Sequence, residues 1–214
     1  MNDNKTIQLF EESAQEYDAW FEKHPFIYAS ELQALNRFIS PGGIGLEIGV
    51  GTGRFAAPLG LQVGVEPARA MAEKARQRGL RVVRAVAEEL PFLGASFNLA
   101  LLVTTLCFLP APFLALGEVA RVLKPGGRII IGMIDQDSSL GRAYETRKRD
   151  SKFYRGAHFH TVSQVLEWLA QLPFRDLQTC QTLFRDLGEI TALEPVKIGH
   201  GEGGFAVIAA QRGL

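Results

Sequence analysis

The sequence predicts an α/β fold built on a mostly parallel sheet. Three observations predict it: five short apolar runs bounded by turn residues, helical patterns between most of them, and a glycine-rich turn directly after the first run. Short and nearly continuous apolar runs suit strands covered on both faces, as parallel strands are. Alternation of such runs with helices is the pattern of crossover units.

The elements follow in order. Residues 5–23 read as a helix carrying Phe10, Tyr17, Trp20 and Phe21, and residues 26–39 as a second helix that Ser40-Pro41-Gly42-Gly43 brings to a stop. Residues 44–48, 61–65, 80–85, 97–103 and 128–134 read as strands, with helices at 67–78 and 111–123. Between the first two strands, residues 54–59 leave room for one or two helical turns, because Pro58 cannot stand deep inside a helix. Residues 135–160 are polar and charged and read as one exposed helix and a loop. Thr161 suits the N-cap of a helix bearing Val165, Leu166, Trp168 and Leu169. Residues 179–184 and 205–210 read as the last strands. Residues 188–204 join them in a loop of a length that is uncommon without a function.

Composition narrows the function classes. The 214 residues carry no formal net charge, which argues against a dedicated nucleic-acid binder. The two cysteines, Cys107 and Cys180, lie far apart and have neither metal-ligand spacing nor the density of a disulfide scaffold, so no metal is expected. No apolar run follows Met1-Asn2-Asp3-Asn4-Lys5, and the longest apolar stretch, near residues 99–109, is too short to span a bilayer. The expectation is a cytoplasmic protein, monomer or homodimer, acting on a small molecule rather than on nucleic acid or a membrane.

The turn after the first strand reads Leu46-Glu47-Ile48-Gly49-Val50-Gly51-Thr52-Gly53. A phosphate-binding P-loop would end in Gly-Lys-Ser/Thr, whereas this loop continues Gly53-Arg54-Phe55. A dinucleotide fingerprint counted from Gly49 needs its third glycine where Arg54 stands. The pattern Glu-x-Gly-x-Gly-x-Gly is matched in full. Glu66, at the end of the second strand, can accept two hydrogen bonds from a ribose diol, and an ionised acceptor makes the stronger kind.

On these residues the chain resembles the class I S-adenosylmethionine (SAM)-dependent methyltransferases of small-molecule type, with a domain like that of the quinone-biosynthesis methyltransferases. The resemblance covers residues 10–135 by motif. It implies a Rossmann-like, doubly wound, seven-stranded, mostly parallel sheet with helices on both faces. It also implies one domain, residues 1–214, with an N-terminal helical lid at 1–40, a cofactor-binding half at 41–135 and a substrate-side half at 136–214. Glu47, Gly49, Gly51 and Gly53 would lie under the methionine part of SAM, Glu66 would hold the ribose, and Pro67 and Met71 would line the adenine pocket. The motif that in the family reads Gly-Asp-Ala-Glu-x-Leu-Pro-Phe is here Ala85-Val86-Ala87-Glu88-Glu89-Leu90-Pro91-Phe92. Its aspartate, the usual acceptor for the adenine amino group, is Val86. The backbone of Ala87 and apolar walls at Val86 and Leu90 would then carry recognition. Leaving the amino group unpaired would cost about 1–3 kcal/mol, so another acceptor, Glu88 or water, is expected. Thr104 falls in the stretch that the family places beside the reactive methyl group.

The residues name no catalytic base. Tyr17 and Tyr28 are candidate substrate contacts together with Thr104. Phe10 and Trp20 suit anchors of the N-terminal helices, with a lid role as the alternative. His158 and His160 suit a surface loop, Cys107 a buried apolar position, and Arg147-Lys148-Arg149 a solvated face. Glu202 in the glycine-rich segment at 197–204 is either a polar contact closing over substrate or part of an exposed connection. Two other functions stay open at this point: a SAM-binding regulatory protein without catalysis, and a nicotinamide-dependent oxidoreductase.

Overall fold

The computed structural model describes residues 3–40 and 42–214. Pro41 in the expected helix stop and the first two residues of the N-terminal leader reading lie outside the described residues. Eight strands form one sheet: β1 (Gly45–Ile48), β2 (Val63–Val65), β3 (Arg81–Val83), β4 (Phe97–Val103), β5 (Leu123–Ile134), β6 (Phe174–Thr182), β7 (Lys197–Ile198) and β8 (Phe205–Arg212). Their order is β3-β2-β1-β4-β5-β8-β6-β7. Strands β1 to β5 pair in parallel, and the three pairs that join β8, β6 and β7 to them are antiparallel.

Six α-helices accompany the sheet among the described residues: α1 (Asp3–Lys23), α2 (Pro25–Asn36), α3 (Arg69–Gln77), α4 (Pro112–Val122), α5 (Ser139–Arg147) and α6 (Val162–Gln171). Alternate residues of the central strands feed two apolar layers. Ala100, Leu102, Ile129 and Ile131 pack with Leu116 and Val119 of α4 and Val165 of α6. Leu101, Val103 and Ile130 pack on the other face with Ile27 and Leu35 of α2 and Ala75 of α3. Cover on both faces explains why these strands read as nearly continuous apolar runs. No helix among the described residues is long and apolar enough to cross a membrane.

Three expectations need correction. The sheet has eight strands, not seven, because Lys197–Ile198 inside the expected loop pairs with Cys180 and Gln181. Both residues of that edge strand are exposed, so no alternation of apolar and polar positions marks it. The segment 54–59 folds into consecutive turns without a continuous helix. Ala57 N bonds Gly53 O at 3.3 Å and Leu59 N bonds Phe55 O at 3.2 Å, but Gly60, with φ of 75°, ends the run. The polar segment 135–160 is not simply exposed, since Tyr144, Phe153, Tyr154 and Phe159 turn inward from it. The expected cap at Thr161 forms, its side chain accepting from Gln164 N at 3.0 Å.

Candidate active site

The glycine loop leaves β1 where the strand order turns, with β2 on one side and β4 on the other. Open α/β sheets hold ligands at such a switch point. Gly49, Gly51 and Gly53 all take left-handed φ values of 69°, 52° and 83°. The N–H groups of Gly49 and Val50 donate to Val65 O at 2.9 and 3.0 Å, folding the loop over the end of β2. Glu47, buried in β1, accepts from Ala56 N at 2.8 Å and braces the far end of the loop. Burial pushes its carboxyl well above the ordinary value, against the opposing effect of that bond.

Glu66 follows β2 directly. Its Oε2 accepts from Gly51 N and its Oε1 from Ala68 N, both at 2.9 Å. Burial pushes this carboxyl up to about 7, although both backbone bonds favour the ionised form. A carboxylate has about four acceptor positions, so two remain for hydroxyl groups.

Two cavities meet above the loop. The first, of about 270 Å³, has Gly49, Gly51, Glu66, Pro67 and Met71 on one side and Ala85 to Glu88 on the other. The second, of about 200 Å³, is walled by aromatic residues of α1, by α2 and α5, and by the stretch at 151–154. Phe10, Tyr17, Thr104 and Phe108 line both. Thr104 has a left-handed φ of 49°, which a β-branched residue rarely adopts and which costs on the order of 1–3 kcal/mol. Its N–H is held by Gly132 O at 2.8 Å. Tyr17 packs edge-on against Phe10, Phe21 and Phe153. Burial, then the charges of Glu47 and Glu66, raise its phenol above the ordinary value, so it stays a neutral donor.

The expected cofactor contacts divide by position. Gly49, Gly51, Glu66, Pro67, Met71, Ala87, Glu88 and Thr104 line the first cavity. Glu47 and Gly53 stand behind its wall, Gly53 so close to α3 that an added Cβ would lie 3.2 Å from Ala75 Cα. Leu90, expected as an apolar wall, packs instead in the core with Phe97 and α4, and its N–H donates to Glu118 at 2.8 Å. Val86 lines the cavity and is 40% exposed. An aspartate in its place would meet an adenine amino group at a half-wet edge. Val86→Asp is expected to tighten binding of S-adenosylhomocysteine about fivefold, from a bond worth ~1 kcal/mol. Calorimetry checks it, and unchanged affinity would mean the amino group is already satisfied.

Tyr28 lines neither cavity. It packs edge-on against Phe21 and Phe55, and its hydroxyl donates to Arg54 O. His158 is exposed, while His160 shares a 3.0 Å bond with Gln164 and meets the ring of Trp168. Cys107 is buried, which pushes its thiol up to about 12. Arg147 and Arg149 are exposed, and Lys148 pairs with Glu145 at 3.0 Å. Glu202 lines neither cavity and pairs with Lys197 at 3.1 Å. Sequence reasoning passed over Glu31, Phe108, Tyr144, Phe153 and Tyr154, all of which line the second cavity. Spacing was the available signal for Glu31, which falls on the apolar stripe of α2 with Ile27, Ala34 and Leu35.

Arg54 ties the loop to α1. Its Nε and Nη2 donate to the two oxygens of Asp18 at 2.8 and 2.9 Å, and Nη2 also meets Glu22 at 2.8 Å. Arg78 adds bonds to Asp18 at 2.9 Å and to Thr52 O at 2.8 Å. Burial would raise the Asp18 carboxyl, but the bonds from Arg54 and Arg78 outweigh it and hold it well below the usual range. Its contribution to stability is therefore present above the unfolded-state value and lost as pH falls through the lower, folded one. Asp18→Ala leaves two guanidinium groups short of a partner. It is expected to cost about 2 kcal/mol, or a drop of roughly 4–8 °C in Tm for a chain of this size, read by thermal unfolding at neutral pH.

A parallel sheet whose switch point carries this loop, with a carboxylate at the next strand end, defines an α/β enzyme that holds a nucleoside-containing cofactor. The methyltransferase domain family matches residues 46–131. The crystal structure of a SAM-dependent methyltransferase of Thermotoga maritima, described as a possible histamine N-methyltransferase, superposes with a TM-score of 0.92. It is 46% identical, over 96% of this chain and 99% of that one. An uncharacterized protein of Methanocaldococcus jannaschii is 46% identical over 206 residues, 96% of this chain and all of its own length. Geranyl diphosphate C-methyltransferase of Streptomyces coelicolor shares the fold with a TM-score of 0.63 at 17% identity, over 86% of this chain and 79% of that one. The chain belongs to the SAM-dependent methyltransferases, and SAM is its cofactor.

Proposed function

We propose that the protein methylates a small-molecule acceptor held in the second cavity, with α1 as a lid over the junction. The observation that carries this reading is that two separate cavities share Phe10, Tyr17, Thr104 and Phe108. The residues of the first cavity fit SAM: Glu66 offers free acceptor positions, and Pro67, Met71, Val86 and Ala87 bound an apolar slot. Glu66 holds the ribose, Ala87 and Glu88 serve the adenine edge, and Gly49 and Gly51 let the ligand approach the backbone. Bound SAM supplies an electrophilic methyl for direct in-line displacement. Tyr17 and Thr104 then orient the acceptor at the junction, and the aromatic walls exclude water. Positioning of this kind supplies several kcal/mol of a barrier.

The second cavity, at about 200 Å³, is smaller than the ~300–1,000 Å³ usual for drug-sized ligands. That size favours a small acceptor over a polymer. The test is incubation with methyl-labelled SAM and a panel of small amines, phenols, carboxylates and thiols beside tRNA and protein. Label in a small molecule is expected, and label in nucleic acid or protein alone would sink the reading. A chiral methyl group should be transferred with inversion.

Thr104 gives a further check on this reading. Thr104→Gly removes the left-handed strain and is expected to stabilise the fold by ~1 kcal/mol, seen as a higher Tm. Turnover is expected to fall at least tenfold, because the junction loses its side chain.

A further inference from the structure

We infer that Glu31 is the specificity-determining residue of the acceptor cavity, and that it selects a molecule bearing a cationic nitrogen. The inference rests on the methyltransferase reading above and names the substrate class of that site.

Glu31 stands on α2, is 8% exposed, and lines the second cavity but not the first. Among the described residues no hydrogen-bond donor or cation pairs with its carboxylate, and burial alone pushes it up to about 8. A buried carboxylate without a partner is costly. A ligand that brings the missing positive charge removes that cost.

The surroundings are matched to a cation. Trp20, Phe21, Phe108, Phe153 and Tyr154 present rings to the same cavity, and aromatic faces attract ammonium groups. All four tyrosines of the chain, Tyr17, Tyr28, Tyr144 and Tyr154, feel the charge of Glu31. Burial is the main cause that raises each of those phenols, so they stay neutral while Glu31 titrates. Among the described residues no lysine or arginine lines either cavity, and the acids lining them are Glu31, Glu66 and Glu88. Lys152, next to the lining residue Phe153, is half exposed and pairs with Glu16. An anionic acceptor would therefore find no cation to pair with.

The carboxylate is also held in place. Ser30, its neighbour on α2, donates to Phe26 O at 2.7 Å and accepts from Glu194 N at 2.9 Å, fixing the helix against the segment after β6. Because Glu31 is absent from the shared wall of the two cavities, its role is to bind and orient the cationic end of the acceptor. It does not take part at the reacting atom.

The test uses the full chain saturated with S-adenosylhomocysteine and three probes of one shape: phenethylamine, 2-phenylethanol and 3-phenylpropionate. Calorimetry is expected to show the amine bound at least tenfold more tightly than the alcohol, with the carboxylate not bound. Titration of the amine in two buffers of different ionisation enthalpy should show proton release, as the cation draws the proton from Glu31. Glu31→Gln is expected to remove at least tenfold of the amine's advantage and the proton release, while S-adenosylhomocysteine binds as before. Equal affinity for amine and alcohol in the unaltered protein would overturn the inference, and so would an amine preference that survives in Glu31→Gln. Failure to bind any of the three probes would count against it equally. The comparison of probes needs no variant, so it stands even if Glu31→Gln does not fold. Loss of S-adenosylhomocysteine binding in the unaltered protein would strike the underlying methyltransferase reading instead.

Discussion

Replacing Glu66 by alanine is expected to weaken binding of S-adenosylhomocysteine about 100-fold. Two bonds from ribose hydroxyls to an ionised acceptor are worth ~1.5–3 kcal/mol each. Even the lower end of their sum exceeds the ~2.8 kcal/mol that 100-fold requires. Glu66 also receives Gly51 N and Ala68 N, so the variant loosens the loop as well as losing the ribose. Glu66→Gln keeps the shape and separates the two effects. The carboxyl is pushed up to about 7, chiefly by burial, so two pH trends follow with opposite signs. In the free protein the folded value lies above the unfolded one, and this group's contribution is greatest below the unfolded value and is lost as pH rises through about 7. The ionised form accepts both hydroxyls, so affinity for the nucleoside should climb as pH rises through the same value. Glu66→Gln should flatten that climb. Calorimetry between pH 5.5 and 8.5 reads it, and an unaltered profile would show that the ribose is held elsewhere.

Much of the frame was legible because its physics is local. Strands β1, β2, β4 and β5 lie inside the sheet, and cover on both faces leaves the nearly continuous apolar runs by which they are read. The loop after β1 was legible because left-handed φ at Gly49, Gly51 and Gly53 requires glycine in a row of fixed spacing. What escaped reading depended on contacts distant in sequence. β7 has two exposed residues and exists through its pairing with β6. Leu90 sits in a motif that faces the cavity at Ala87 and Glu88, yet a turn of the backbone sends it to the core.

The second cavity was hidden for a similar reason. Most of its aromatic residues come from α1 or from α5 and the segment after it, more than a hundred residues apart in the chain. Charged neighbours such as Arg142 and Lys152 make the later part read as solvent-facing. Arg54 served in the sequence to exclude a dinucleotide fingerprint. In the structure the same side chain clamps α1 through Asp18, so the position that breaks one fingerprint joins the loop to the helix over the site.

Gly49→Ala tests the loop from its other end. A Cβ there would lie 2.6 Å from both Cγ2 and Oγ1 of Thr105, at a φ of 69°. Thr105 cannot swing away at little cost, because its hydroxyl serves Ile48 O at 3.2 Å and Val103 O at 3.1 Å. Rotation would free buried carbonyls at ~1–3 kcal/mol, and the left-handed backbone adds ~1–2 kcal/mol for any residue with a Cβ. The total, about 2–5 kcal/mol, exceeds what the loop can absorb without moving. Gly60→Ala separates the two terms, since Gly60 has a φ of 75° and nothing within 4 Å of its Cβ position. Strain alone should lower its Tm by only ~2–8 °C and leave cofactor binding intact. Gly49→Ala should instead displace the loop from under the ligand and cut S-adenosylhomocysteine affinity by more than 100-fold. Equal behaviour of the two variants would mean that Thr105 does not fix the loop.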